Sequence, residues 1–254
     1  LVEEFYNRGL RMIGPVHFRD NQFADSATDL SAGDFGGLSP LGEELVKEAN
    51  RLGMILDGSH AADSTVDDMI ALSTTPLILS HTGVKAVYDH PRNIDDALMR
   101  KIADDGGVIQ INAYGGYLEQ LEPTPERQAA LDALSAEFDG VSPLTADDET
   151  RARYFARMAE IDAAFTPPLS SFEKFIEHLL HALEVVGPDH VGMGADWDGG
   201  GGVTGMEDVS FLPKVTERLL AEGYSEADIQ KFWSGNMLRL LEQAEAAKQP
   251  PEVE

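Results

Sequence analysis

Four side chains able to bind a cation stand where apolar runs end. His60 closes Met54-Ile55-Leu56-Asp57-Gly58-Ser59-His60, and His81 closes Pro76-Leu77-Ile78-Leu79-Ser80-His81. Asp196 closes His190-Val191-Gly192-Met193-Gly194-Ala195-Asp196, and His17 ends Arg11-Met12-Ile13-Gly14-Pro15-Val16-His17 in the same way. Neutral imidazole and carboxylate together suit zinc or a similar divalent ion. One histidine at the end of a strand is more often a polar loop-entry residue than a ligand. Two of them 21 residues apart, each closing an apolar run, have the spacing of one βα unit. The chemistry that such a set supports is metal-assisted hydrolysis.

Those positions presuppose elements to hold them. Short β-prone runs over 11–17, 54–60, 76–81, 107–114 and 190–196 alternate with helical runs, which predicts parallel βαβ units in an α/β fold. The runs are nearly continuous in apolar residues, as strands covered on both faces are. In a closed barrel of this kind, functional groups gather at the C-terminal ends of the strands, because those ends share one face. Helices are predicted from Ser39-Pro40 to Leu52, from Ser64, from Ile94 to Ala103, from Ser171 to Val186, from Val209 to Glu222 and from Ser225 to Ala247. Ser64 with Asp67, and Ser225 with Asp228, have the spacing of capping boxes. Phe18 to Gly37 is a polar loop, and Gln249 to Glu254 a terminal tail. Residues 119–168 are helical in character, charged and alanine-rich, and read as an insertion into a single domain spanning 1–254. A lid or a homodimer contact is as open for them as a neutral surface excursion. His178 and His181, one helical turn apart, read as surface residues, and His90 and His190 as loop residues.

Composition narrows the partners. The 254 residues carry 19 basic and 45 acidic side chains, a formal charge of −26, which disfavours nucleic acid and anionic membrane surfaces. With 43% hydrophobic residues the chain can fill a sizeable core, and no apolar run reaches the ~18 residues of a membrane helix. The absence of cysteine removes disulfides, cysteine zinc sites and thiol catalysis, and leaves cytoplasmic and periplasmic settings both open. Gly192-Met193-Gly194-Ala195-Asp196-Trp197 lacks the last glycine of a dinucleotide fingerprint, and Gly199 to Gly202 lacks the Lys-Ser/Thr of a P-loop. No Gly-x-Ser-x-Gly elbow is present.

Taken as an ordered set, several short motifs resemble the membrane (renal) dipeptidase family, a branch of the amidohydrolase superfamily. They are Gly37-Leu38-Ser39-Pro40-Leu41-Gly42, Asp57-Gly58-Ser59-His60, Ser80-His81-Thr82, Pro91-Arg92-Asn93, Asn112-Ala113-Tyr114-Gly115-Gly116-Tyr117, Gly194-Ala195-Asp196-Trp197-Asp198-Gly199 and Gly235-Asn236-Met237-Leu238-Arg239. The resemblance implies a (β/α)8 TIM-type barrel that hydrolyses dipeptides with two zinc ions. It implies that His60 and His81 bind one zinc, and that Asp196 binds the other and handles protons. It further implies that His17 contacts the substrate near the scissile carbonyl, that Arg92 holds the substrate carboxylate, and that Tyr117 lines the same pocket.

The chain departs from the family pattern in lacking the His-x-Asp pair of the first strand and the bridging glutamate of the third. The visible strands are therefore expected to be strands 4–8 of eight, with the insertion between strands 7 and 8 and an N-terminal part outside this sequence. Two rivals fit the same residues. One is another amidohydrolase, acting on acyl amino acids, cyclic amides or lactones; the other is a catalytically dead barrel homologue.

Overall fold

A computed structural model describes residues 1–29, 35–141, 143 and 146–250. The loop expected over 18–37 and the tail over 249–254 therefore lie partly outside the described residues.

Among the described residues six parallel strands are formed: β1 (Met12–Ile13), β2 (Ile55–Leu56), β3 (Ile78–Val84), β4 (Asn93–Ile94), β5 (Val108–Ile111) and β6 (Val191–Met193). β1 pairs with β2, and the order β4-β3-β5-β6 makes a second sheet. A single parallel bridge from Asp57 to Ile78 joins the end of β2 to the start of β3. The longer strands thus lie side by side in chain order, as βαβ units with short crossovers do.

Except for β3, the observed strands are shorter than the apolar runs, and two differences bear on the site. β1 stops at Ile13, before Pro15, which has no N–H to give a ladder. β3 does not end at His81 but runs on to Val84, with a register irregularity between Leu79 and Thr82 in its pairing with β5. An irregularity of that kind re-aims the side chains it contains, here those of Ser80 and His81. The Ser80 carbonyl lies so close to Gly194 that a Cβ there would overlap it. β4 is a strand that the pattern did not announce: Asn93 and Ile94 pair with Gly83 and Val84. The helix expected from Ile94 instead begins at Asp96, where Asp95 caps the Leu98 amide.

Helices cover the strands through amphipathic faces. Phe172–Val186 buries Phe175, Ile176, Leu179, Ala182 and Leu183 at helical spacing, and Ser171 caps it through the Lys174 amide. Pro40–Leu52 starts on the Ser39 cap, with Pro40 in its first turn. The capping box at Ser225 and Asp228 forms. The one at Ser64 and Asp67 does not, because the helix begins at Asp63, on Ala62. After Gln230 the C-terminal helix widens into a π-turn over Lys231–Gly235 before Asn236–Ala246. Asn236 donates to Pro188 O and Val191 O, and Arg239 to Gly106 O and Asp189 O, so that motif braces the start of β6.

Residues 120–170 form a compact unit of their own, apart from the unit made by 1–119 and 171–254. Its helices Pro125–Glu137 and Asp148–Ala164 bury Leu134, Phe138 and Ile161 against each other. The buried Arg127 ties them together, donating to Asp162 at 2.7 Å and to the Phe165 carbonyl at 2.6 Å. Among the described residues no helix is long and apolar enough to cross a membrane.

Candidate active site

The strand ends converge on a cavity of about 650 Å³. His17 follows β1, His60 follows β2, His81 sits within β3, Tyr114 and Tyr117 follow β5, and Asp196 follows β6; all of them line it. Gly14, Phe18, Asn21, Asp57 and Gly199 contribute further wall.

The histidines are packed against one another. His60 Nε2 and His81 Nε2 are 2.9 Å apart, and the His17 and His60 rings have centroids separated by 4.1 Å. Phe18 stands edge-on to His60 at 5.0 Å. Burial drives the His60 pKa down to about 2, helped by the positive Arg92 nearby. Burial and Arg92 lower His81 as well, against the opposing pull of Asp57 and Asp196. His17, although exposed, is lowered by desolvation and Arg92, while Asp196 acts the other way. Both imidazoles of the 2.9 Å pair are thus neutral near pH 7, so one Nε2 donates its proton to the lone pair of the other, and neutral imidazole is the form that binds a metal. The pair fits zinc in donor type. Among the described residues, no group of three or more His, Asp or Glu side chains is gathered closely enough to hold an ion.

Arg92 is the one predicted site residue that does not line the cavity. Its side chain is 2% exposed, with Nη2 donating to the His81 carbonyl at 2.9 Å, while Nε and Nη1 have no partner among the described residues. The guanidinium lies 5.5 Å from the centroid of the Tyr117 ring. Burial lowers its pKa, and Tyr117, Asp57 and Asp196 oppose that shift. A buried cation with two free donors is costly unless an anion meets it.

Asp196 has a left-handed backbone, φ 60° and ψ 37°. For a non-glycine residue that conformation costs of order 1 kcal/mol and is concentrated at functional sites.

Compared with known proteins, the chain matches the family described as membrane dipeptidase, peptidase family M19, over residues 1–253. The chain belongs to that family. Among curated relatives of this M19 chain, an uncharacterized dipeptidase of Schizosaccharomyces pombe is 31% identical over 247 residues, covering 96% of this chain and 49% of the relative. Dipeptidase 3 of Mus musculus is 28% identical, covering 98% and 42%. The M19 chain spans about half the length of the curated relatives it matches. In structure it is similar to the probable dipeptidase PvdM of Pseudomonas aeruginosa, with TM-score 0.79 and 33% identity over 97% of this chain and 65% of the other. It is also similar to a metallo peptidase of Rhodobacter sphaeroides solved with a phosphinate mimic of L-Ala-D-Ala. That likeness has TM-score 0.71 and 28% identity, covering 96% of this chain and 58% of the other.

Sequence reasoning missed several residues of the M19 site. His178 is fully buried, not on the surface: its Nδ1 accepts the Val84 amide and its Nε2 bonds the Leu118 carbonyl, both at 2.9 Å. It thereby ties the end of β3 to the residue after Tyr117. The signal that could have found it is its register with Phe175 and Ala182 on the buried face of the helix. Asn93 donates to both the Tyr88 and Tyr117 carbonyls at 2.8 Å, fixing the turn that carries Tyr117. Asp57 and Ser80 also join the site, and only their places beside His60 and His81 in the sequence hinted at it.

Proposed function

We propose that the whole protein is a zinc-dependent dipeptidase with a (β/α)8 barrel, of which β1, β2, β3, β5 and β6 supply strands 4–8, with β4 a short addition beside β3 and the helical segment lying between the last two. The observation that carries the proposal is the 2.9 Å approach of His60 Nε2 to His81 Nε2, both neutral, in a cavity that Asp196 also lines. The relative from Rhodobacter sphaeroides, solved with a phosphinate mimic of a dipeptide, supports the substrate class.

His60 and His81 would hold the metal through their ring nitrogens. When bound, zinc brings the pKa of a water to near 7 and polarises the scissile carbonyl. Asp196 would join the same centre, where its carboxylate would take the proton of the attacking water and pass it to the leaving amine. His17, on the rim, donates a hydrogen bond to the carbonyl oxygen as negative charge grows there. Arg92 would receive the substrate carboxylate on Nε and Nη1, the two donors left without partners, once the wall that buries it behind the cavity gives way, and a guanidinium fork matches a carboxylate in geometry. That clamp selects short peptides, because a longer chain has no carboxylate at that distance. Tyr117 packs beside it.

Metal analysis of the gently purified whole protein, together with a dipeptide panel, tests the proposal. Zinc at about one or more per chain with dipeptide turnover is expected. Less zinc than that, or turnover confined to acyl amino acids, cyclic amides or lactones, overturns it.

A further inference from the structure

His81 is held by more hydrogen bonds than a loop-entry residue needs. Asp57 Oδ1 accepts the Ser59 amide at 3.0 Å, the Ser59 hydroxyl at 2.6 Å and the Ser80 amide at 3.0 Å. Asp57 Oδ2 accepts the Ser80 hydroxyl at 2.5 Å. The Ser59 hydroxyl oxygen in turn accepts the His81 amide at 3.1 Å. Ser80 Oγ is 2.8 Å from His81 Nδ1.

Counting protons fixes the direction of the last contact. A carboxylate only accepts, and a hydroxyl has one proton to give. The Ser80 proton is taken by Asp57 Oδ2, and the Ser59 proton by Asp57 Oδ1. Neither remains for His81 Nδ1, so Nδ1 must carry its own proton and donate it to a Ser80 lone pair. In a neutral imidazole the other nitrogen then has the free lone pair. That nitrogen is Nε2, which therefore accepts the proton of His60 Nε2 across 2.9 Å.

We propose that Asp57, acting through Ser80, is a positioning residue that fixes His81 in its Nδ1–H tautomer and so keeps the Nε2 lone pair turned to His60. The use of that lone pair for zinc rests on the function proposed above; the tautomer is a property of the polypeptide alone. Outer partners of this kind orient metal-binding imidazoles and strengthen them as ligands.

Asp57→Asn reverses the relay while removing no ligand. Asp57 Oδ1 takes three donors, so the amide oxygen of the variant occupies that place and the NH2 group faces Ser80. The amide then donates to Ser80 Oγ, the Ser80 proton turns to His81 Nδ1, and His81 moves its own proton to Nε2.

The test is long-range ¹H–¹⁵N spectroscopy of the metal-free whole protein labelled in its histidines, with His81 assigned by its loss in His81→Gln. The wild type should show Nδ1 protonated and Nε2 bare, Asp57→Asn the reverse, and Ser80→Ala a mixture of both. A wild-type His81 protonated at Nε2, or the same tautomer in wild type and both variants, overturns the proposal. Zinc affinity, read by competition with a chelator, should fall by about 10- to 100-fold in Asp57→Asn. Equal affinity in the two proteins overturns the positioning role. Wild-type protein with the expected tautomer and no zinc binding contradicts the dipeptidase reading and supports the relay, so the two failures are distinguishable.

Discussion

The carboxylate of Asp196 occupies the space in which a side chain at Gly199 would begin. The Asp196 carbonyl also accepts the amides of Gly199 and Gly201, at 3.0 and 2.7 Å, so the turn closes around its left-handed backbone. Gly199 itself needs no left-handed conformation, so its lack of a side chain serves Asp196. Gly199→Ala should displace the carboxylate and lower kcat by about a hundredfold, the scale of an ångström-sized misplacement. KM and melting temperature should scarcely move. Steady-state kinetics on a dipeptide, with a thermal melt, check this; an unchanged kcat would remove Asp196 from the chemistry.

His60→Ala and His81→Ala should each abolish dipeptide hydrolysis and bound zinc. In the wild type, saturating zinc at about a hundred times its Kd should stabilise the fold by about 2.7 kcal/mol, and a chelator should remove that gain. Either variant should melt at one temperature with or without zinc. Retained turnover in either would sink the ligand assignment.

Arg92→Met keeps most of the side-chain volume and removes the buried charge. Losing one partner of a buried charge pair costs about 2–5 kcal/mol, so KM for a dipeptide should rise at least about thirtyfold. The wild type should discriminate against the C-terminal amide of the same dipeptide, and the variant should not. Without substrate the variant should be no less stable than wild type, because the guanidinium it lacks has two unpartnered donors. Preserved discrimination in Arg92→Met would show that another group reads the carboxylate.

His178 gives the fold a pH dependence with a defined sign. Burial lowers its pKa to about 4, below the ordinary histidine value of about 6.5. Between those values the unfolded chain binds the proton and the folded chain does not, so stability falls as pH drops through that window. From pH 7 to pH 4 the loss is of order 3 kcal/mol. His178→Ala should lack this component and be about 1–3 kcal/mol less stable at pH 7 for each of the Val84 and Leu118 groups left unpaired. Urea unfolding of both proteins from pH 7 to pH 4 measures the difference. Parallel curves would remove His178 as the source.

The alternation of apolar runs and amphipathic helices was legible because each depends on neighbours within a few residues. So was the grouping of His17, His60, His81 and Asp196, since parallel strands carry their C-terminal ends to one face. Arg92 could be named from its motif, but not its depth. Its burial follows from the Thr82 hydroxyl bonding its carbonyl and from Nη2 reaching His81, contacts 10 and 11 positions away.

Local sequence by itself determined the α/β alternation, most helix caps and the identity of the strand-end side chains, because periodicity and capping are short-range. Tertiary structure alone decided the irregularity in β3 at Ser80 and His81, the pairing that makes β4, and the burial of His178. It also decided which oxygen Ser80 serves. Each of these depends on partners distant in the chain, as His178 shows by bonding Val84 across 94 positions and Leu118 across 60. A buried polar group must find its partner wherever the packed chain supplies one, and no pattern of neighbours records where that is.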